Sequence, residues 1–413
     1  MNNYMEKISV CRVCGDSRIR SFFDLGLQPL ANSLLERVDD REEAYPLSLC
    51  WCENCNLVQL EFTVDPKILF SKYVWVTGTS GVAQDFSKRF YEGLIQRTEN
   101  SKSGYVLEIA SNDGTFLKPF LGNGYDVLGV DPAENIVLMA EKDGVPTRCA
   151  FWSHATAEDV VRERGKAKMI FARNVLPHVA NTRDFVDGLR EALSDDGTLA
   201  IEAHHAKIIL EGLHYDSIYH EHLCYFTFKS LENLLNDFGL FVFDIAESPI
   251  SGGSMIVYAT KTKKEESAAV HQYRKTEEAG ATNTLDAWKS FAEKSFVHKD
   301  QFLKILNSYA EKGEVVYGWG ASARSSTMLN FCGIGAKLVK EIVDMNPLKH
   351  GRFTAGTRIP ILSAEEVMKE GPKHICILAW NFTDEIKSVL KSRFDYGGDY
   401  IIPLPGVPRV DQS

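Results

Sequence analysis

The sequence predicts an α/β chain in which a small cysteine-bound amino-terminal subdomain precedes two separate strand–helix–strand units. Three observations carry that reading. Two Cys-x-x-Cys pairs, Cys11/Cys14 and Cys52/Cys55, fall within the first 55 residues. Between residues 105 and 131 an apolar strand, a small polar loop, a helix and a second strand ending in an acid follow one another. The same succession recurs between residues 314 and 346. At 413 residues the chain exceeds what one hydrophobic core serves. The expected divisions are 1–72, 73–262, a helical connector over 263–312, and 313–413.

Composition narrows the function classes. A 44% hydrophobic and 25% charged chain is ordinary for a soluble enzyme. The formal charge of −10 argues against nonspecific nucleic-acid binding, which needs Lys and Arg to neutralise phosphates. It leaves room for a local basic pocket holding one phosphorylated ligand. No basic start precedes an apolar run, and no apolar stretch approaches the roughly 18 residues of a membrane span. A cytoplasmic protein without a membrane partner is expected; the oligomeric state is left open.

Cys11-Arg-Val-Cys14-Gly15 and Cys52-Glu-Asn-Cys55 read as two knuckles offering four thiolates to a tetrahedral Zn²⁺, with Gly15 and Asn54 easing the turns. The long spacing between the pairs implies a zinc-ribbon-like subdomain with an insertion. Four thiolates leave no open position for water, so the metal should be structural. Cys50 is then a buried spare. Cys149, Cys224, Cys332 and Cys376 sit in apolar contexts and read as small buried hydrophobes. The acidic run from Glu36 to Glu43 counts against a nucleic-acid-binding ribbon.

In the second part Tyr105–Ile109 reads as a buried strand, 110–115 as a polar loop, Phe116–Leu121 as a helix start and Tyr125–Val130 as the next strand, ending in Asp131. An acid there suits ribose hydroxyls. The strand-end Glu108 opposes a phosphate ligand; together with Ala110, Asn112, Gly114 and Asp131 it favours S-adenosylmethionine (SAM), whose ammonium and sulfonium are cationic. Lys168–Arg173 is a further strand opening onto Asn174-Val-Leu-Pro-His178, where His178 is a second acid or base. A helix over Thr182–Leu193 and a strand over Gly197–Ala203 follow. A helical Phe228–Phe238 then leads to an antiparallel pair, Leu240–Ile245 and Ser254–Thr260, with Gly252-Gly253 near its turn.

Between them lies a histidine-rich segment. His204, His205 and His214 read as solvated or core histidines, and the spacing holds no His-Glu-x-x-His metal pair. Tyr219-His220-Glu221-His222 concentrates a phenol, a carboxylate and two imidazoles. A neutral imidazole is a base at pH 7, a carboxylate can orient it, and a tyrosine can hydrogen-bond a developing enolate. An extended backbone would put 220 and 222 on one face; a tight turn would let all four converge. The sequence leaves both open.

Lys261–Glu311 is charged and largely helical, a connector or outer layer. Glu314–Tyr317, the loop Gly318-Trp-Gly-Ala-Ser-Ala-Arg324, a helix through Leu329 and a strand over Leu338–Val343 repeat the earlier pattern. Here Gly318, Gly320, Ser322 and Arg324 suit phosphate better than SAM. Asn346 after the second strand and Asn381 after a strand at His374–Trp380 complete the candidate substrate contacts.

Taken together these motifs resemble the sugar C-methyltransferases that act on nucleotide-linked 4-keto-deoxysugars. The resemblance rests on the paired knuckles, residues 106–115, 174–178, 219–222, 252–254, 318–322 and 344–347, and covers nearly the whole chain. It implies a zinc-binding amino-terminal domain, a class I SAM methyltransferase-like Rossmann middle domain and a second Rossmann-like carboxy-terminal domain, with the nucleotide-diphosphate sugar between them. It also implies that His222 removes the C3 proton, with Tyr219, Glu221, His178 and Tyr73 at the same site. Three positions depart from the family pattern: Trp75, where an aromatic hydroxyl is usual, Ala110, where a glycine is, and Ser251. The competing readings are a SAM-dependent O-methyltransferase and a non-catalytic zinc-ribbon binding or regulatory protein.

Overall fold

The computed structural model describes residues 5–70, 76–249 and 252–412. Tyr73, Trp75 and Ser251 lie outside that set.

Both knuckles close as the spacing predicts. The Gly15 amide donates to the Cys11 carbonyl, and the Asn56 amide to the Cys52 carbonyl, at 2.9 and 3.0 Å. Gly15 adopts φ 73°; in the second knuckle the left-handed residue is Asn56, at φ 63°, and not Asn54. Asparagine tolerates that region better than other side chains, which explains its place. The knuckles flank a four-stranded antiparallel sheet ordered Cys224–Tyr225, Val58–Leu60, Ala44–Cys52, Ile19–Pro29. Its outer strand comes from far down the chain, with Cys224 opposite Gln59. The segment just after the Tyr219–His222 cluster is therefore built into the cysteine-rich sheet.

The middle sheet has seven strands in the order Phe241–Ser248, Ser254–Thr260, Leu193–His204, Ala167–Arg173, Val106–Ile109, Val127–Asp131, Thr147–Cys149. Ala167–Arg173 and Val106–Ile109 are buried along nearly their whole length, as central parallel strands between two helical layers must be. Ser254–Thr260 runs antiparallel to both its neighbours, so the hairpin folds its returning strand inward. Strand order reverses between Val106–Ile109 and Ala167–Arg173. Loops 110–114 and 174–178 leave that switch point, where open α/β sheets bind ligands.

The carboxy-terminal sheet repeats the topology with shorter strands: Ile361–Leu362, Ile342–Val343, Val316–Trp319, His374–Ile377, Asp399–Ile402 and an antiparallel Arg409–Asp411. The strand expected from Leu338 begins only at Ile342.

The helical stretch expected to be a connector or outer layer also contributes a buried stripe to the core. Leu285–Glu311 is one helix that buries Trp288, Phe291, Phe302 and Leu306. Phe23 of the cysteine-rich sheet packs edge-on against Phe291 and against Phe331 of the Ala323–Cys332 helix, at 5.9 Å each. One apolar stripe thereby joins the amino-terminal sheet to the carboxy-terminal unit. The acidic run is docked as well: Arg358 donates to Glu42 Oε1 at 3.1 Å. Cys224, Cys332 and Cys376 are buried as expected, whereas Cys149 is exposed. No helix among the described residues is long and apolar enough to cross a membrane.

Candidate active site

A 3-10 turn, Tyr215–Ser217, delivers the chain into a tight turn closed by the His222 amide on the Tyr219 carbonyl at 2.9 Å. The turn decides between the two backbones that the sequence left open. It brings Tyr219 and His222 together, with ring centroids 4.0 Å apart, and sends His220 and Glu221 inward. The Tyr219 hydroxyl lies 2.7 Å from His222 Nε2, and His222 Nδ1 lies 2.8 Å from the Ser217 carbonyl. A carbonyl only accepts, so Nδ1 carries the proton. Nε2 of the neutral ring is then an acceptor, and Tyr219 donates to it. Burial, nearby His178 and Arg324 hold the His222 imidazole well below its ordinary titration range.

The remaining members separate by role. His178 packs edge-on against His222 at 4.8 Å, and burial lowers it to about 4. Glu221 does not orient the imidazole; its Oε1 accepts from Asn32 Nδ2 at 2.6 Å, and burial raises it to about 7. His220 packs on Tyr45 and holds its carbonyl at 3.3 Å, a structural contact. Asn32 and Ser217 were not anticipated, since neither belongs to a motif.

At the first loop Ala110, Asn112 and Gly114 adopt φ of 57°, 50° and 74°. A Cβ at Gly114 would lie 2.8 Å from Val145, so glycine is required there. Asp131 accepts from the Asn112 amide through Oδ2 and the Ala133 amide through Oδ1, at 2.9 Å each, and so clamps the loop to the second strand. Glu108 is buried at the strand end, its Oε2 without a partner among the described residues, and burial pushes it well above the carboxylate range. A buried acid lacking a donor fits a ligand that brings a cation or hydroxyls. Asn174, at φ 50°, turns its amide group to Glu202 Oε1 at 3.3 Å. A cover over this loop has no motif to announce it: the Thr77 amide donates to Asn112 Oδ1 at 2.8 Å and the Gly78 amide to Asp113 Oδ2 at 3.0 Å.

The glycine loop of the carboxy-terminal unit departs from expectation. A Cβ at Gly318 would meet Ile342 and Leu378, and one at Gly320 would meet Ala379, so both glycines serve packing. Gly320, Ala321 and Ser322 donate their amides to the Val343 carbonyl, Asp344 Oδ2 and Ser325 Oγ. The Ser322 hydroxyl caps the following helix, and Asn346 caps a 3-10 turn. An internal carboxylate, Asp344, thus takes the place where a phosphate was expected. Arg324 also turns inward, donating Nε and Nη2 to the two oxygens of fully buried Asp216 at 3.0 and 2.9 Å. The Trp380 indole adds a third donor at 2.7 Å. Asn381 lies beside the Gly252–Gly253 turn.

The four predicted cysteine sulfurs lie within 4.8 Å of one another, with Cys11–Cys55 at 3.6 Å and Cys14–Cys52 at 3.5 Å. Thiolates about 2.3 Å from one tetrahedral Zn²⁺ would lie at such separations. The hydrogen bond from Cys55 holds the Cys11 thiol below its ordinary range. Cys50 stays outside this group; burial and Glu61 push it up to about 12.

Comparison with known proteins matches three family models along the chain: a zinc binding domain over residues 11–70, a methyltransferase domain over 83–244, and a C-methyltransferase C-terminal domain over 249–405. C-methyltransferase NovU of Streptomyces niveus is 30% identical over 99% of this chain and 98% of its own. The chain belongs to the C-methyltransferase family. As a member it is a SAM-dependent enzyme that methylates carbon, with a zinc-binding cysteine cluster at its amino terminus. Solved structures similar to part of it include the SAM-bound magnesium protoporphyrin IX methyltransferase of Synechocystis, 14% identical over 44% of this chain and 80% of that one, with a TM-score of 0.34. Another is a SAM-dependent methyltransferase of Anabaena variabilis, 14% identical over 45% and 88% of the two chains, with a TM-score of 0.37.

Proposed function

We propose that this C-methyltransferase deprotonates C3 of a nucleotide-linked 4-keto-deoxysugar and methylates the resulting enolate to give a 3-C-methyl branched sugar. One observation carries the reading: a half-buried, neutral imidazole, His222, whose Nδ1 proton is fixed on the Ser217 carbonyl and whose Nε2 is therefore a base. Methylation at carbon needs such a base because the acceptor carbon must first lose a proton. A ketone at C4 acidifies that proton by delocalising the charge onto oxygen. His222 takes it at Nε2, and the Tyr219 hydroxyl, which holds Nε2 beforehand, would be released to donate to the enolate oxygen. His178 adds a second neutral imidazole against the ring, and Glu221 a buried carboxyl that burial raises to about 7. Tyr73 belongs to the same proposal on the resemblance alone.

For the cofactor, Glu108, Ala110, Asn112, Gly114, Asp131 and Asn174 would hold SAM at the switch point. Bound there, SAM supplies an electrophilic methyl group. The acceptor would lie between the middle and carboxy-terminal units, beside Arg324, Asn381 and the Gly252–Gly253 turn. Gly318, Gly320, Ser322 and Asn346 would shape that wall, with their amides and caps already used inside the protein.

The test supplies a nucleotide-linked 4-keto-deoxysugar in D₂O with S-adenosylhomocysteine in place of SAM. The wild type is expected to exchange the proton at C3, and His222→Ala to slow that exchange about 10²–10⁴-fold. Equal exchange rates in the two proteins would overturn the role of His222. Exchange at C5, the other carbon beside the ketone, would overturn the site of methylation.

A further inference from the structure

Two histidines assigned by their sequence context to solvent or core are neither satisfied nor exposed. His204 ends the Leu193–His204 strand at the carboxyl edge of the middle sheet, and His214 directly precedes the Tyr215–Ser217 turn. Their rings stack 5.9 Å apart at 30°. Exposures of 7% and 3% leave them almost wholly buried, yet His204 Nε2 and His214 Nδ1 have no hydrogen-bond partner among the described residues. Neighbouring His205, by contrast, is satisfied by Glu277 at 2.7 Å.

The chain also makes room for this pair. Leu213 adopts φ 59°, a conformation an ordinary side chain avoids, and thereby turns His214 back over the end of its helix. A Cβ on Gly212 would lie 2.2 Å from His214 Nε2, so only glycine lets the ring seat there. Trp380 closes the other side at 4.6 Å. Trp380 also carries the Arg324 guanidinium over its ring at 4.6 Å and donates to Asp216, whose neighbour Ser217 holds His222. The pair therefore shares one environment with the proposed base.

We propose that His204 and His214 form a hydroxyl-binding pair for the acceptor sugar and set which carbon beside the ketone faces His222. This rests on the reading of His222 as the base. A buried polar atom without a partner is unfavourable in the free protein, and a ligand that supplies the partner removes that penalty on binding. Burial and Arg324 keep both rings neutral, so each has one donor and one acceptor nitrogen. That combination matches a hydroxyl, which both donates and accepts, and discriminates against an analogue that lacks it. The two carbons flanking a C4 ketone are equally activated by it. They differ in whether their outer neighbours carry hydroxyls or the ring oxygen, and a hydroxyl-reading wall distinguishes those two ends.

The experiment uses the full zinc-loaded chain with dTDP-4-keto-6-deoxyglucose as probe. His204→Phe and His214→Phe remove the ring nitrogens while filling the space; His204→Gln restores a donor and an acceptor. Calorimetry reads affinity, and NMR in D₂O with S-adenosylhomocysteine reads which carbon exchanges. Each Phe variant is expected to keep the wild-type melting temperature or exceed it, to weaken the probe's Kd about tenfold, and to let exchange spread to both carbons. His204→Gln should recover the wild-type affinity and single-carbon exchange. If the wild type exchanges the probe and both Phe variants match it in Kd and position, the pair reads nothing and the proposal fails alone. If the wild type exchanges neither carbon, the base reading fails and the pair falls with it.

Discussion

The contact between Arg324 and Asp216 should couple the carboxy-terminal unit to the proposed base. The Asp216 carboxylate is fully buried and receives Nε and Nη2 of Arg324 and the indole of Trp380. Its neighbour Ser217 supplies the carbonyl that fixes the His222 tautomer. Arg324→Met removes two of the three donors and leaves a buried, nearly unpaired charge. Removing one partner of a buried pair costs about 3–5 kcal/mol. The Arg324 side chain is 15% exposed, so water can reach part of the gap, and the Trp380 donor remains. The lower end, about 3 kcal/mol, is therefore expected. Asp216→Asn keeps the shape and loses the charge; in combination with Arg324→Met it should recover about 2 kcal/mol relative to the sum of the singles. The assay is equilibrium unfolding of the four proteins, paired with deuterium exchange of a 4-keto sugar. Single variants should lose exchange rate as well as stability. If the two substitutions prove additive and each costs under about 1 kcal/mol, the pair does not hold the turn.

Two further outcomes are expected. The folded-state value of Glu221 is raised to about 7 from an ordinary 4.5, so between those values the native state holds the proton more tightly than the unfolded chain. Its contribution to stability is present below the lower value and falls by about 3 kcal/mol as pH rises through that window. Glu221→Gln should remove that loss, and a wild-type-minus-variant difference that stays flat with pH refutes it. Zinc should be found at one per chain. Its chelation, or Cys14→Ser, should expose amides of both Val58–Leu60 and the Cys224–Tyr225 strand to hydrogen exchange, since the two are paired. Unchanged protection at 224–225 would show that the metal site does not support the segment carrying His222.

The local patterns were readable because each is a short-range rule. A Cys-x-x-Cys knuckle must turn on a left-handed residue, and a buried parallel strand must be apolar almost throughout. A loop that a ligand approaches must be small, as Gly114 against Val145 shows. Long-range pairings left no such trace. Nothing around Cys224 announces a strand that completes the cysteine-rich sheet. The glycine loop at 318–322 looked suited to phosphate because spacing does not reveal whether its amides are already used. The helix Leu285–Glu311 looked like a charged outer layer because its many charges conceal a narrow buried stripe.

By itself the sequence determined the metal-binding residue set, the two Rossmann-like units, the acid-lined first loop and the identity of the Tyr219–His222 cluster, all properties of residues near one another in the chain. Only the tertiary structure decided what those groups can do. It turned Tyr219 onto His222, fixed the imidazole proton on Ser217, moved Glu221 to Asn32 and committed Arg324 to Asp216. The physical reason is that a proton's position and a charge's partner depend on burial and on atoms brought from distant segments. Residue order specifies which groups are available; packing selects which of them meet.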